Sequence, residues 1–256
     1  MAYGEFAEVY DLLMRDIPYE AWCDYLVKLL RKFGAGDGLL LELGCGTGTM
    51  TELLARAGYD MTGIDASPEM LQVALGKRDI SGLPILYLEQ DMTAFELYGT
   101  MRGIVAVCDT MNYLTDREAF LETLRLVNNY LDPGGVFIFD LKTPYFFREV
   151  LGEQTFALQE EGVTCIWENT FDEETGIHEY DLTLFREEGD SGLYRRFGET
   201  QAQRAYSEAE VRALAEEAGL EFLALYDAFT EQPPKADSER VYVVLREHGK
   251  CQKGSL

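Results

Sequence analysis

Residues Leu39-Leu40-Leu41-Glu42-Leu43-Gly44-Cys45-Gly46-Thr47-Gly48 decide the reading of this chain. The leucine run fits a strand covered on both faces. The glycines that follow alternate with Cys45 and Thr47. With no Cβ in the way, such a turn lets backbone N–H groups come close to a ligand. A helix is predicted to open near Thr49, and a helix N-terminus favours polar or anionic groups. Strand, turn and helix together predict an α/β sheet.

The spacing separates two ligand classes. A dinucleotide turn reads G-x-G-x-x-G, and its third glycine would fall on Thr49. Here the pattern is G-x-G-x-G, preceded by Glu42. Gly63-Ile64-Asp65 ends a second predicted strand. That places an acid about 20 residues on, where ribose hydroxyls are read in such folds. The plain alternative is a tight strand-to-helix turn with no ligand.

Glu42-x-Gly44-x-Gly46-x-Gly48 resembles motif I of the class I S-adenosylmethionine (SAM)-dependent methyltransferases. Asp65 is similar to that family's ribose-binding acid, and Gln90-Asp91-Met92 to the acid near the adenine amino group. Leu131-Asp132-Pro133-Gly134-Gly135 resembles the turn before its fifth strand. These motifs run in family order over roughly the first 140 residues. The resemblance implies a Rossmann-like, seven-stranded, mostly parallel sheet with helices on both faces, and SAM as cofactor. It implies cofactor contacts from Glu42, Gly44, Cys45, Gly46, Gly48, Asp65, Ala66, Met70, Asp91, Met92 and Asp109. It also implies that an aromatic N-terminal stretch, residues 5–33, closes as a lid over SAM and the substrate, with Tyr10, Tyr19 and Trp22 as candidates. A sulfonium beside aromatic rings gains about 0.5–2 kcal/mol of cation–π attraction. Ordinary packing of the same rings onto the sheet is the alternative.

A chain of 256 residues with 47% hydrophobic residues has enough apolar surface for one large domain or a domain with an insertion. A net charge of −24 repels phosphate backbones and argues against a nucleic-acid substrate. Cys23, Cys45, Cys108, Cys165 and Cys251 show no C-x-x-C spacing, which argues against a disulfide framework and a zinc site. No signal peptide or membrane-length apolar run is read, so the expected compartment is the cytoplasm and no membrane contact is expected.

Strands are expected at Tyr59–Ile64, Pro84–Leu88, Gly103–Cys108 and Val136–Phe139. Ser67 and Pro68 read as cap and first residue of a helix, and Pro18 suits the first turn of another. Beyond Asp140 the pattern changes. Three strands, Val163–Phe171, Ile177–Arg186 and Leu193–Tyr206, predict an antiparallel insertion, with His178, Tyr180, Leu182 and Leu184 on one face. Ser207-Glu208-Ala209-Glu210 is a capping box before the closing helix and two strands. The expected organisation is a core of 1–142 and 207–248, an insertion of 143–206 over the active site, and a disordered tail at 249–256.

The resemblance places Asp109 to Leu114 at the methyl-transfer edge, with Tyr10, Asn112 and Tyr113 as candidates for positioning an acceptor. Such a roof would choose the acceptor. Tyr145, His178, Tyr180, Arg196 and Arg204 are candidates there, Arg204 for a carboxylate or phosphate. Each is alternatively a solvated or ion-paired strand residue. Methyl transfer to a small-molecule acceptor is an in-line displacement, in which the protein aligns and desolvates without metal or covalent intermediate. A catalytically silent SAM or nucleotide sensor is the reading from another class, and Thr49 weighs against a dehydrogenase. The chain is expected to be a monomer or homodimer.

Overall fold

The computed structural model describes residues 4–250. Helices α1 (Gly4–Leu13) and α2 (Tyr19–Lys32) precede β1 (Leu39–Leu43). The chain then alternates through α3 (Thr49–Arg56), β2 (Asp60–Asp65), α4 (Pro68–Ser81), β3 (Leu86–Glu89), β4 (Met101–Ala106), α5 (Arg117–Tyr130) and β5 (Leu131–Lys142). Strands β6 (Thr155–Glu160), β7 (Val163–Asp172), β8 (Ile177–Glu187) and β9 (Tyr194–Arg204) follow. Helix α6 (Glu208–Glu217), β10 (Leu220–Asp227) and β11 (Arg240–Glu247) close the fold.

Seven strands form one sheet in the order β10-β11-β5-β4-β1-β2-β3. Strand β1 pairs in parallel with both β2 and β4, whereas β11 runs against both β5 and β10. The chain walks outward from β1 to β3, then restarts at β4 on the other side. The carboxyl ends of β1 and β4 therefore flank a switch point, where open α/β sheets bind ligands.

Both faces of this sheet are covered, which explains the unbroken leucine run. Leu41, Leu43, Ile104, Phe137 and Phe139 pack with α5 and α6 residues such as Leu124 and Leu214. Leu40, Val105, Val136 and Ile138 point the other way, toward Leu26, Leu30 and Leu54 of α2 and α3. The period-two alternation of strands feeds two separate cores.

The insertion is a second, antiparallel sheet in the order β6-β7-β8-β9. Its first strand was not expected. Thr155–Glu160 is an edge strand with no fully buried residue, so no apolar alternation marks it. In β8 the expected face is buried: His178, Tyr180, Leu182 and Leu184. Strand β5 starts at Leu131, before Val136, because Asp132-Pro133-Gly134-Gly135 is absorbed as an irregularity in its pairing with β4. Pro18 stands just outside α2, with non-helical ψ of 64°. Of the expected disordered tail, 251–256 lie outside the described residues. Lys250 is anchored instead, its Nζ donating to the carbonyls of Asn128, Asn129 and Leu131. No described helix is long and apolar enough to cross a membrane.

Candidate active site

The glycine turn lies at the carboxyl end of β1. Cys45 N–H donates to the Ile64 carbonyl at 2.9 Å, tying the turn to β2. Gly48 has φ +76°, and an added Cβ would sit 2.3 Å from the Tyr87 hydroxyl. Backbone shape and packing both demand glycine there. Gly46 has φ +53°, yet an added Cβ would meet nothing within 4 Å. Its outer side is open, so the turn is a cradle with room for a ligand close to the main chain.

Two acids support this cradle. Asp65, ending β2, accepts from Gly46 N–H and Ser67 N–H, each at 2.8 Å. Burial raises its pKa, against the lowering effect of those amides. Glu42, 2% exposed beneath the turn, accepts from the Thr51 hydroxyl. Burial pushes its carboxyl up to about 8. Ala66 is exposed beside Asp65.

The expected adenine side holds Asp91, Met92 and Met70. Asp91 is exposed, and one of its oxygens caps Thr93 through the amide and the hydroxyl. Met92 packs on the core side of the sheet. Met70 is buried in a third cluster, among Phe6 and Val9 of α1 and Leu182 of β8. It fills core between helix and roof, a thioether adapting to an irregular gap.

The end of β4 is strained. Cys108 and Asp109 have consecutive φ values of 59° and 56°, which cost about 1–3 kcal/mol each for residues other than glycine. Four neighbours hold Asp109 in place. Its amide donates to Asp140, and its carboxylate meets Arg240 at 2.9 Å, Lys142 at 3.0 Å and the Gln203 amide at 2.7 Å. Burial alone would raise this carboxyl, but Lys142 and Arg240 outweigh it and hold it below the usual range. Arg240 also pairs with Asp140 and lies 5.0 Å over the Trp22 ring. Expected as a cofactor contact, Asp109 is the anion of a buried ion-pair cluster that locks the switch point.

Tyr10 and Tyr19 converge on the same edge. Burial raises both phenols, with Cys108 a neighbour of each. Trp22 turns away toward Arg240 and Phe229, whose ring is 5.2 Å distant. Helix α1 is fastened to the cradle by Asp11, which accepts from the Thr47 hydroxyl at 2.6 Å and pairs with Lys77 of α4.

The roof is bonded directly to the β4 edge. Tyr113 donates to Gln201 at 2.7 Å and lies 2.6 Å from the Tyr180 hydroxyl. Asn112, expected to position an acceptor, is fully buried and already used. It accepts from Lys142 N–H at 3.0 Å and donates to the Arg204 carbonyl at 2.9 Å. Arg204, expected to hold an anionic acceptor, pairs with Glu210 at 2.8 Å and stacks on Tyr206. Its charge is spent on joining β9 to α6. His178 is fully buried between Phe147 and Tyr180, with ring centroids at 5.1 and 5.5 Å. Burial pushes it down to about 4, so it is neutral at ordinary pH. Arg196 and Tyr145 make no described contact with the cluster.

Asp140, Lys142, Gln203 and Arg240 were not read from sequence as site residues. Their signal is topological. Arg240 stands directly opposite Lys142 in the β11–β5 register, and like charges so placed need intervening carboxylates. Beside them opens a cavity of ≈ 460 Å³ lined by Lys142, Phe146, Phe229 and Arg240, among others.

Known proteins share this architecture. A family model described as a methyltransferase domain matches residues 40–135. YqeM of Bacillus subtilis (strain 168), a methyltransferase-family protein, is 36% identical over 247 residues, covering 94% of this chain and 96% of its own. The crystal structure of a S-adenosylmethionine-dependent methyltransferase from Clostridium acetobutylicum ATCC 824 matches with a TM-score of 0.86 and 29% identity, over 96% of this chain and 98% of that one. CalS10, an amino pentose methyltransferase from Micromonospora echinaspora solved with SAM bound, shares the fold at a TM-score of 0.72 and 20% identity, over 96% and 98% of the two chains. Cradle, acids, switch point and relatives agree: this chain belongs to the class I S-adenosylmethionine-dependent methyltransferases.

Proposed function

We propose that the protein methylates a small-molecule acceptor bound between the cradle, helix α1 and the inner face of the β6–β9 sheet. The observation that carries this reading is the bonding of the roof to the β4 edge. Gln203 reaches Asp109, Gln201 reaches Tyr113, and Asn112 holds the Arg204 carbonyl. A macromolecular substrate would have to break these bonds to reach the edge. The net charge of −24 adds a barrier to nucleic acids. CalS10, with the same fold, is an amino pentose methyltransferase.

In this reading the open side of Gly46 lets the cofactor lie against the main chain of the turn, and Asp65 offers its remaining lone pairs to the two ribose hydroxyls. Glu42, buried beneath the turn, would supply a carboxyl for the amino-acid end of the cofactor. Bound SAM supplies an activated methyl group on a sulfonium. The chain aligns the acceptor and excludes water, which in favourable cases supplies about 7–11 kcal/mol of barrier reduction. Helices α1 and α2 serve as the lid, and Tyr10 and Tyr19 turn uncharged phenols toward the reacting edge. Asp109 is neutralised by Lys142 and Arg240 and does not act as a base.

Methyl-labelled SAM incubated with the protein and a whole-cell extract tests the proposal. Label is expected in the small-molecule filtrate. Label confined to protein or nucleic acid would refute it.

A further inference from the structure

The inner face of the roof carries buried polar atoms that the described residues leave short of hydrogen bonds. Strand register sets its rows: Trp167, Leu182 and Glu199 in one, Asn169, Tyr180 and Gln201 in the next, Phe171, His178 and Gln203 in the third. Residues directly opposite across a ladder share a face. Trp167 Nε1 and both His178 nitrogens are buried with no hydrogen-bond partner among the described residues, and Glu199 Oε1 and Gln201 Nε2 have at most each other. Buried polar atoms are nearly always paired, so a run of exceptions on one face calls for a partner. Gln201 is itself 7% exposed and is joined through its other amide atom to Tyr113 at the β4 edge.

We propose that Trp167, Glu199 and Gln201 form the acceptor-binding subsite, and that it takes a nucleophile bearing an N–H or O–H, an amine or an alcohol. The proposal rests on the methyl-transfer reading above. The indole and amide N–H groups need acceptor atoms, and the Glu199 oxygen needs a donor. A carboxylate or phosphate oxygen supplies no donor to Glu199, and the cations nearby are already taken. Lys142 pairs with Asp109, Arg240 with Asp109 and Asp140, and Arg204 with Glu210. Trp167 and Tyr180, with rings 5.6 Å apart, add an apolar wall. Burial pushes Glu199 up to about 7 against the lowering effect of Gln201, so near neutral pH it has a carboxylate form with lone pairs left to accept a hydrogen bond from an amine or hydroxyl.

The test uses methyl-labelled SAM and the small-molecule filtrate of a cell extract, with the wild type, Glu199→Gln and Trp167→Phe. The variants are expected to need about tenfold more filtrate for half-maximal labelling, the worth of one hydrogen bond. Their calorimetric affinity for S-adenosylhomocysteine is expected to equal that of the wild type. The label is expected to survive alkali, as N-methyl and ether methyl groups do. Unchanged labelling by both variants, loss of S-adenosylhomocysteine affinity in parallel, or alkali-labile label released as methanol from a methyl ester would each overturn the proposal. A wild type that binds S-adenosylhomocysteine but labels nothing refutes the methyl-transfer reading itself.

Discussion

Glu42→Gln isolates one buried carboxyl whose titration is coupled to folding. Its ordinary value is 4.5, and burial pushes it to about 8 in the folded chain. At about 1.36 kcal/mol per pH unit, the folded state binds this proton about 5 kcal/mol more tightly than the unfolded state. The sign follows. Below the unfolded value both states hold the proton, and the contribution is fully present. As pH rises toward the folded value only the unfolded state ionises, and stability is lost. Above the folded value the loss is complete. Glutamine keeps an acceptor for the Thr51 hydroxyl and does not titrate. The variant should therefore gain on the wild type by roughly 3 kcal/mol between about pH 4.5 and 7, and by a further ~1 kcal/mol up to about pH 8. For a chain of this size each kcal/mol moves Tm by about 2–4 °C. Thermal unfolding of both proteins at matched pH values across this window measures the difference. Parallel Tm–pH curves would refute the reasoning, because they would mean Glu42 is ionised in the fold.

SAM carries a sulfonium and an ammonium, so its binding should draw the proton off Glu42. Calorimetry near about pH 7 in buffers of different ionisation enthalpy should show up to about one proton released, and none for Glu42→Gln. Gly48→Ala should cost more than about 2 kcal/mol in urea unfolding, since its Cβ would strike the Tyr87 hydroxyl at 2.3 Å. Gly46→Ala meets nothing within 4 Å, so it should cost only about 1 kcal/mol of stability while weakening S-adenosylhomocysteine binding. Arg240→Met should destabilise the fold by about 3–5 kcal/mol in urea titrations, because it strands buried Asp109 and Asp140.

The cofactor half was legible because local chemistry specifies it. The leucines of β1 are a buried parallel strand, the glycines adopt positive φ, and Asp65 ends β2. The roof was legible only where alternation survives, as in β8, and not in β6, whose residues are largely exposed. The switch-point cluster was invisible for a different reason. Asp109, Asp140 and Arg240 are joined by β11 inserting beside β5, a long-range pairing that no local pattern announces. The partners of Arg204 and Asn112 were not legible either, because residue type tells what a group can bond, whereas the fold decides which partner reaches it first.

The most direct test of the account is the calorimetric affinity of Asp65→Ala for S-adenosylhomocysteine. Losing charge-assisted bonds to the ribose, each worth roughly 1.5–3 kcal/mol, predicts at least about a tenfold weaker Kd in a variant that still unfolds cooperatively. A folded variant that binds as tightly as the wild type would contradict the placement of the cofactor at the ends of β1 and β2.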